Sequence, residues 1–318
     1  MFYNIIRDNY YTFKVFEQNK LAPRSYFIPF SNEKLADKTN ILERRYKSDK
    51  VRCLNGVWDF KYYKSVKDLP TNFDTENIEF DQIPVPSCWQ FLGYEPPFYT
   101  NIKYQFKANP PNVPTDKVAG TYGEDINGKE YVCGKEQYNS VGVYRTFVDI
   151  ESLDKKFIIS FLGVASNLEL HVNGKYVGYS EGSHNTAEFF LNKYLVQGKN
   201  EIVVVVYKWC NGSYLEDQDM FRNNGIFRDV LLFESDLTYI HDFDFFTHKT
   251  PNGLYDVILS IDIENYDGAK IEVKLLDPKG KVVVSKTADA SAYTKIIFDK
   301  LDVIEWNAEV PSLYVLKL

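Results

Sequence analysis

Four carboxylates and two arginines crowd into residues 211–230: Glu216, Asp217, Asp219 and Asp229, with Arg222 and Arg228. Tyr214, Phe221 and Phe227 are interleaved with them. Carboxylates accept paired hydroxyl bonds and ligate hard cations, and aromatic rings offer apolar faces. The segment runs between two apolar stretches, 202–207 and 230–233, that read as buried strands. An acidic, aromatic loop in that position is where a ligand or a metal is expected. The residues alone leave a second reading of Asp219 open, a structural ion pair with Arg222 or Arg228. Glu216 and Asp217 read as organisers of the loop.

A second candidate lies in residues 81–115, which hold Pro84, Pro86, Pro96, Pro97, Pro110, Pro111 and Pro114. Proline fixes φ and removes a donor, so this is a long ordered loop and not a helix. It contains VPSCWQ (85–90) and YEPPFYTN (94–101), which ends on Asn101. An amide there serves either a ligand or the loop's own backbone. Trp89 and Trp209 read as core residues. His171 and His184 lack metal-ligand spacing, and Cys53, Cys88, Cys133 and Cys210 form no CxxC pair, so they read as free thiols. Phosphate loops, nucleotide fingerprints and nucleophile elbows are missing from the sequence.

These residues must be positioned by strands. Trp58, Phe60 and Tyr62 alternate with polar neighbours in 54–63, the period of a half-buried strand. Further strands are predicted at 143–150, 156–161, 168–172 and 202–207, with a hairpin turn at Asn173-Gly174 and a short turn over 188–195. Residues 116–139 read as a surface excursion with a hairpin at Asn127-Gly128. A second unit begins near Asp236, with strands over 257–264, 271–275, 282–285, 296–301 and 313–318 and a proline turn at 277–280. Its short strands read as an immunoglobulin-like sandwich. The chain divides into an N-terminal arm (1–50) and two all-β domains (51–235 and 236–318).

Composition narrows the function classes. At 44% hydrophobic residues the chain of 318 has material for more than one core, and 16% aromatic residues suit strands and sugar-facing surfaces. A net charge of -7 without a basic run argues against nucleic acid. No stretch approaches the roughly 18 apolar residues of a membrane span. The N-terminus has scattered charges and reads as neither anchor nor secretory signal, which points to the cytoplasm. The glycosylation triplet at 211–213 is then a chance match.

Four motifs occur in order: VPSCWQ with GY-PP-YTN (85–101), NPP-VPT (109–115), HVNGKYVGYS (171–180) and GSYLEDQDMFR with GIFRDV (212–230). Together they resemble the N-terminal part of glycoside hydrolase family 2, most of all its large bacterial β-galactosidases. The end of the chain, from Trp306 through Tyr314, is similar to the last strand of that family's second domain. The resemblance implies a jelly-roll, galactose-binding-like sandwich followed by the immunoglobulin-like one. It also implies a catalytic (β/α)8 barrel that these residues do not include.

Retaining hydrolysis needs two carboxyl groups about 5 Å apart, and the family's pair sits on the barrel. No catalytic residue is therefore assigned in this chain. By motif, Asn101 corresponds to an asparagine reaching the galactose hydroxyls. Asp219 corresponds to an aspartate that contacts the sugar and ligates sodium, here as part of an incomplete site. Magnesium is expected only with the catalytic domain. The partners implied are a β-galactoside, the barrel and further copies of the whole enzyme. Phe221 stands where the family has tryptophan, Cys88 where it has asparagine, and 116–139 is longer than the pattern. A free-standing carbohydrate-binding module, an assembly module, and a β-glucuronidase or β-mannosidase of the same family are the alternatives.

Overall fold

The strand Gly198–Tyr207 divides the first unit into two cores. Ile202, Val204 and Val206 face one buried cluster, and Val203, Val205 and Tyr207 face the other. An uninterrupted run of β-branched residues is what a strand buried on both faces requires. In the computed structural model this strand is the centre of a seven-stranded sheet. The order is Glu17–Gln18, Lys175–Glu181, Asn167–Val172, Gly198–Tyr207, Val141–Ile150, Gly56–Tyr63, Asp81–Val85. Neighbours pair antiparallel throughout. The structure describes the chain except for Arg7, Asp217 and residues 102–103, 119–120, 125–129 and 134–135, and gives the backbone alone for 121–124 and 130–133.

One face of this sheet packs on a four-stranded sheet ordered Ala187–Phe190, Lys156–Phe161, Val230–Ser235, Val51–Cys53. Phe157, Ile159, Phe161, Phe189 and Leu232 close that core against Trp58, Phe60 and Trp89. This is the sandwich that the alternating strands predicted. The opposite face is covered by Tyr3 of the strand Phe2–Asn4 and Phe73 of its antiparallel partner Asn72–Asp74, with Ile5 and Tyr10 from the N-terminal segment and Phe106 and Val113 from the loops. Tyr10 stacks on Tyr207, centroids 4.4 Å apart. The first residues of the chain thus contribute side chains to a core, at about 1.5–3 kcal/mol for each large apolar group removed from water.

The hairpin at Asn173-Gly174 forms with both residues at positive φ, 50° and 78°, as a type I′ turn requires. Where a short turn was predicted over 188–195, Ala187–Phe190 is a strand paired with Lys156–Phe161, and the turn follows it. Thr121–Glu124 and Glu130–Cys133 pair antiparallel, and the Asn127-Gly128 turn lies outside the described residues.

The second unit comprises Arg24–Phe27 and Ser235–Leu318. It is a sandwich of two three-stranded sheets. One holds Tyr239–Lys249, Tyr255–Glu264 and Tyr293–Leu301; the other holds Val282–Asp289, Lys270–Leu276 and Val315–Lys317. Val257, Leu259, Ile261 and Ile263 meet Ile271, Val273, Ile296 and Phe298 in its core. The long strand Tyr239–Lys249 was not predicted. None of its residues is buried, so it lacks the apolar alternation by which strands are read. Ser25 reaches this strand, its N–H donating to Asp242 and its hydroxyl to the Phe243 carbonyl, both at 2.8 Å.

Candidate functional site

The acidic loop leaves the central strand at Tyr207 and is tied down almost residue by residue. A 3-10 turn, Asn211–Tyr214, begins it. Asn211 donates to the Asn9 carbonyl (2.8 Å) and to Glu181 (2.7 Å), and accepts from the Phe13 N–H (3.0 Å). Glu181 also accepts from the Gly212 N–H (2.6 Å) and the Tyr179 hydroxyl (2.7 Å). Burial pushes the Glu181 carboxyl up to about 7, although these donors oppose the shift.

The three described carboxylates of the loop, Glu216, Asp219 and Asp229, part company in the fold. Glu216 accepts from the Ser183 N–H (2.6 Å) and hydroxyl (2.7 Å), which pins the loop to the strand edge after Lys175–Glu181. Asp217 lies outside the described residues. Asp229 accepts from Arg45 (3.0 Å), Tyr46 (2.7 Å) and Asn55 (2.8 Å) at the other end of the domain segment. Burial raises the Asp229 pKa, and the bonds from Asn55 and Tyr46 and the charge of Arg45 outweigh it, so the net shift is downward. Asp219 stays exposed and accepts from the Tyr99 hydroxyl. That bond raises the Tyr99 pKa.

Tyr99 is reached because Met220–Phe221 pairs antiparallel with Tyr99–Thr100. Thr100 faces Met220, so the next residues on that side of the pair are Asn101 and Asp219. Two positions far apart in the chain meet on one exposed edge. Arg222 holds this edge in place. Its backbone N–H donates to the Phe98 carbonyl (2.6 Å), its Nε to Thr100 Oγ1 (2.8 Å), and its guanidinium to the Glu216 (2.6 Å) and Gln218 carbonyls. Arg228 donates to the His184 carbonyl (3.0 Å). Both arginines are thus fixed on loop carbonyls.

Behind the edge, the Gln90 side chain donates to Asn224 Oδ1 (3.0 Å) and accepts from the Asn224 backbone N–H (2.8 Å), joining VPSCWQ to the acidic loop. Trp89 and Trp209 are fully buried. Trp89 donates to Glu95 (2.9 Å), and Glu95 also receives the buried Lys208 ammonium (3.1 Å). Burial lowers the Lys208 pKa, and the charge of Glu95 opposes it.

Tyr99, Glu181 and Ser183 were not singled out from sequence. Tyr99 lay within the YTN motif, two residues before Asn101, and that proximity was the available signal. Glu181 and Ser183 carry no local signal, since their partners are some thirty residues away. The Asp219 side chain is exposed, and carboxylate oxygens are hard donors of the kind that bind hard cations. Among the described residues no group of three His, Cys, Asp or Glu side chains gathers to complete a metal site.

Comparison with known proteins places this geometry in a family. The family model described as "Glycosyl hydrolases family 2, sugar binding domain" matches residues 51–138 and 133–236. The chain belongs to glycosyl hydrolase family 2. It is 38% identical over 302 residues to a β-galactosidase of Actinobacillus pleuropneumoniae, covering 94% of this chain and 27% of that protein. It is 37% identical over 284 residues to one of Vibrio vulnificus, covering 83% and 25%. The chain thus spans about a quarter of the length of these relatives. Among solved structures, Bacteroides uniformis β-glucuronidase 3 aligns with a TM-score of 0.58 at 14% identity, over 84% of this chain and 32% of that one. The β-glucuronidase of Bifidobacterium dentium aligns at 0.54 and 18%, over 83% and 44%. At such identities the likeness concerns the fold, which is all-β in two sandwiches.

Proposed function

We propose that this chain is the N-terminal, non-catalytic portion of a β-galactosidase, and that Asn101 and Asp219 form one wall of its galactoside site. The observation that carries the reading is the pairing of Tyr99–Thr100 with Met220–Phe221, which sets an amide beside an exposed carboxylate. An amide offers donor and acceptor together, and a carboxylate accepts two hydroxyls or holds a sodium ion. Tyr99 and Arg222 keep the pair in place before a sugar arrives, so little ordering cost falls on binding. In this reading Asp219 supplies one sodium ligand. The remaining ligands, the magnesium and the two catalytic carboxylates belong to the barrel. The relatives named β-galactosidase support a galactoside over a glucuronide or a mannoside.

The purified chain should not hydrolyse nitrophenyl β-galactoside. In the longer polypeptide, Asp219→Ala should lower kcat/KM roughly 30- to 160-fold, the loss of a charge-assisted bond worth about 2–3 kcal/mol, and should abolish the response to sodium. Turnover by the chain alone that survives both Asp219→Ala and Asn101→Ala would sink the reading.

A further inference from the structure

The sequence holds six Asn-Gly pairs, at Asn55, Asn127, Asn173, Asn211, Asn224 and Asn252. Glycine has no Cβ to obstruct the approach of its backbone nitrogen to the preceding side chain. In such a pair that nitrogen can attack the asparagine Cγ and close a five-membered succinimide. The fold decides which of these side chains is at liberty to turn toward it. Asn127 lies outside the described residues.

Four of the other five are held at both ends of the amide. Asn55 donates to Asp229 (2.8 Å) and accepts from the Val230 N–H (3.1 Å). Asn173 donates to Asn200 (2.7 Å) and to the Tyr194 carbonyl (3.0 Å), and accepts from the Glu201 N–H (2.9 Å). Asn211 is fixed by Asn9, Glu181 and Phe13. Asn224 donates to the Lys208 carbonyl (3.1 Å) and accepts from Gln90 (3.0 Å). Ring closure at any of them breaks at least two of these bonds, and at Asn211 and Asn224 it must also move a buried side chain.

Asn252 differs on each count. It sits at the tip of the hairpin that joins Tyr239–Lys249 to Tyr255–Glu264, where Pro251, Asn252 and Gly253 are all exposed. Its side chain makes no hydrogen bond among the described residues. A Cβ at Gly253 would meet nothing within 4 Å, so the ring has room to form. One bond opposes the attack, from the Gly253 N–H to the Thr250 carbonyl (3.0 Å). It is a single bond in an exposed turn, and opening it slows the reaction by roughly tenfold. The held pairs need larger openings of the fold, which are far rarer.

We propose that Asn252 is a site of spontaneous deamidation, the position at which the folded chain acquires isoaspartate. The Gly253 nitrogen gives its proton to water and bonds to Asn252 Cγ. The Cγ–Nδ2 bond breaks, and ammonia leaves with a proton from solvent. Water then adds to either carbonyl of the succinimide, giving aspartate or isoaspartate. The net reaction consumes water and releases ammonia, with no change of oxidation state. Isoaspartate carries the main chain through the former side chain, a methylene longer, so the bonds between Thr250 and Leu254 that close the hairpin are lost.

The test is incubation of the folded chain in mildly alkaline buffer beside a sample in urea, followed by peptide mass mapping and by labelling with an isoaspartyl methyltransferase. In the folded chain the peptide bearing Asn252 should convert roughly tenfold or more faster than those bearing Asn55, Asn173, Asn211 and Asn224, with isoaspartate in excess of aspartate. In urea the rates should draw together, because the pairs then react without the fold. Asn252→Gln, whose closure needs a slower six-membered ring, should remove the product at the tip. The substitution is at an exposed turn position and leaves both cores untouched. Conversion at any of the four held positions as fast as at Asn252 in the folded chain overturns the proposal. So does an Asn252 still intact in the folded chain when the urea sample has converted. Aspartate without isoaspartate, the mark of direct hydrolysis, overturns it as well, as does isoaspartate in the same peptide of Asn252→Gln.

Discussion

Glu181 should make the first unit lose stability as the pH rises through neutrality, the opposite of the usual behaviour of a carboxylate. Its side chain is largely buried between the acidic loop and the strand Lys175–Glu181. Burial lifts its carboxyl from 4.5 to about 7. A folded-state pKa above the unfolded one means that the folded protein binds the proton more tightly. The stabilisation is therefore complete below the unfolded value and disappears as pH rises toward the folded one. At 1.36 kcal/mol per unit the full effect is about 3 kcal/mol, of which roughly 2.5 kcal/mol falls between about pH 5 and pH 8.

Glu181→Gln cannot ionise, so the difference between wild type and variant isolates this group from the others. Asp49, Asp116 and Asp229, whose pKa values are lowered, act below that window and cancel in the difference. Denaturant unfolding followed by tryptophan fluorescence is the assay, since Trp58, Trp89 and Trp209 are buried in the first unit. The stability of wild type relative to the variant should drop by about 2.5 kcal/mol from pH 5 to pH 8. Parallel curves, within about 0.5 kcal/mol, would refute the reasoning, because they would mean that the donors around Glu181 replace the water it loses.

Two further changes test the core beneath the site by the same unfolding assay. Lys208→Met should destabilise by about 3–5 kcal/mol, because it leaves the buried Glu95 charge without its cation, and adding Glu95→Gln should recover much of the loss. Gly142→Ala should cost about 1–3 kcal/mol, since its Cβ would lie 2.8 Å from the Phe60 ring and 2.9 Å from Trp89, both locked in the sandwich.

Much of the architecture was legible because its signals are local. The run of β-branched residues before the acidic loop, the alternation at Trp58 and Phe60, and Asn173-Gly174 each report on a few neighbouring residues. Where the signal is not local, reading failed. The strand Tyr239–Lys249 buries none of its residues, so no apolar alternation announced it. Tyr3 and Tyr10 sit among polar residues at the start of the chain, and their burial depends on a sheet face formed mainly by residues 141–207. At the site, the sequence held Asp219 and Asn101 as separate motif positions, each with a structural alternative.

The amino-acid sequence by itself thus determined the strand periods, the turn chemistry and the family motifs, because propensity and hydrophobic pattern act over a few residues. The fates of the three described carboxylates came from the folded chain. Glu216 was taken by Ser183, Asp229 by Arg45, Tyr46 and Asn55, and Asp219 was left at the surface beside Tyr99. These assignments rest on hydrogen bonds to residues 33 to 184 positions away. Only a formed sheet brings such partners within reach, and only burial then makes leaving them unpaired costly.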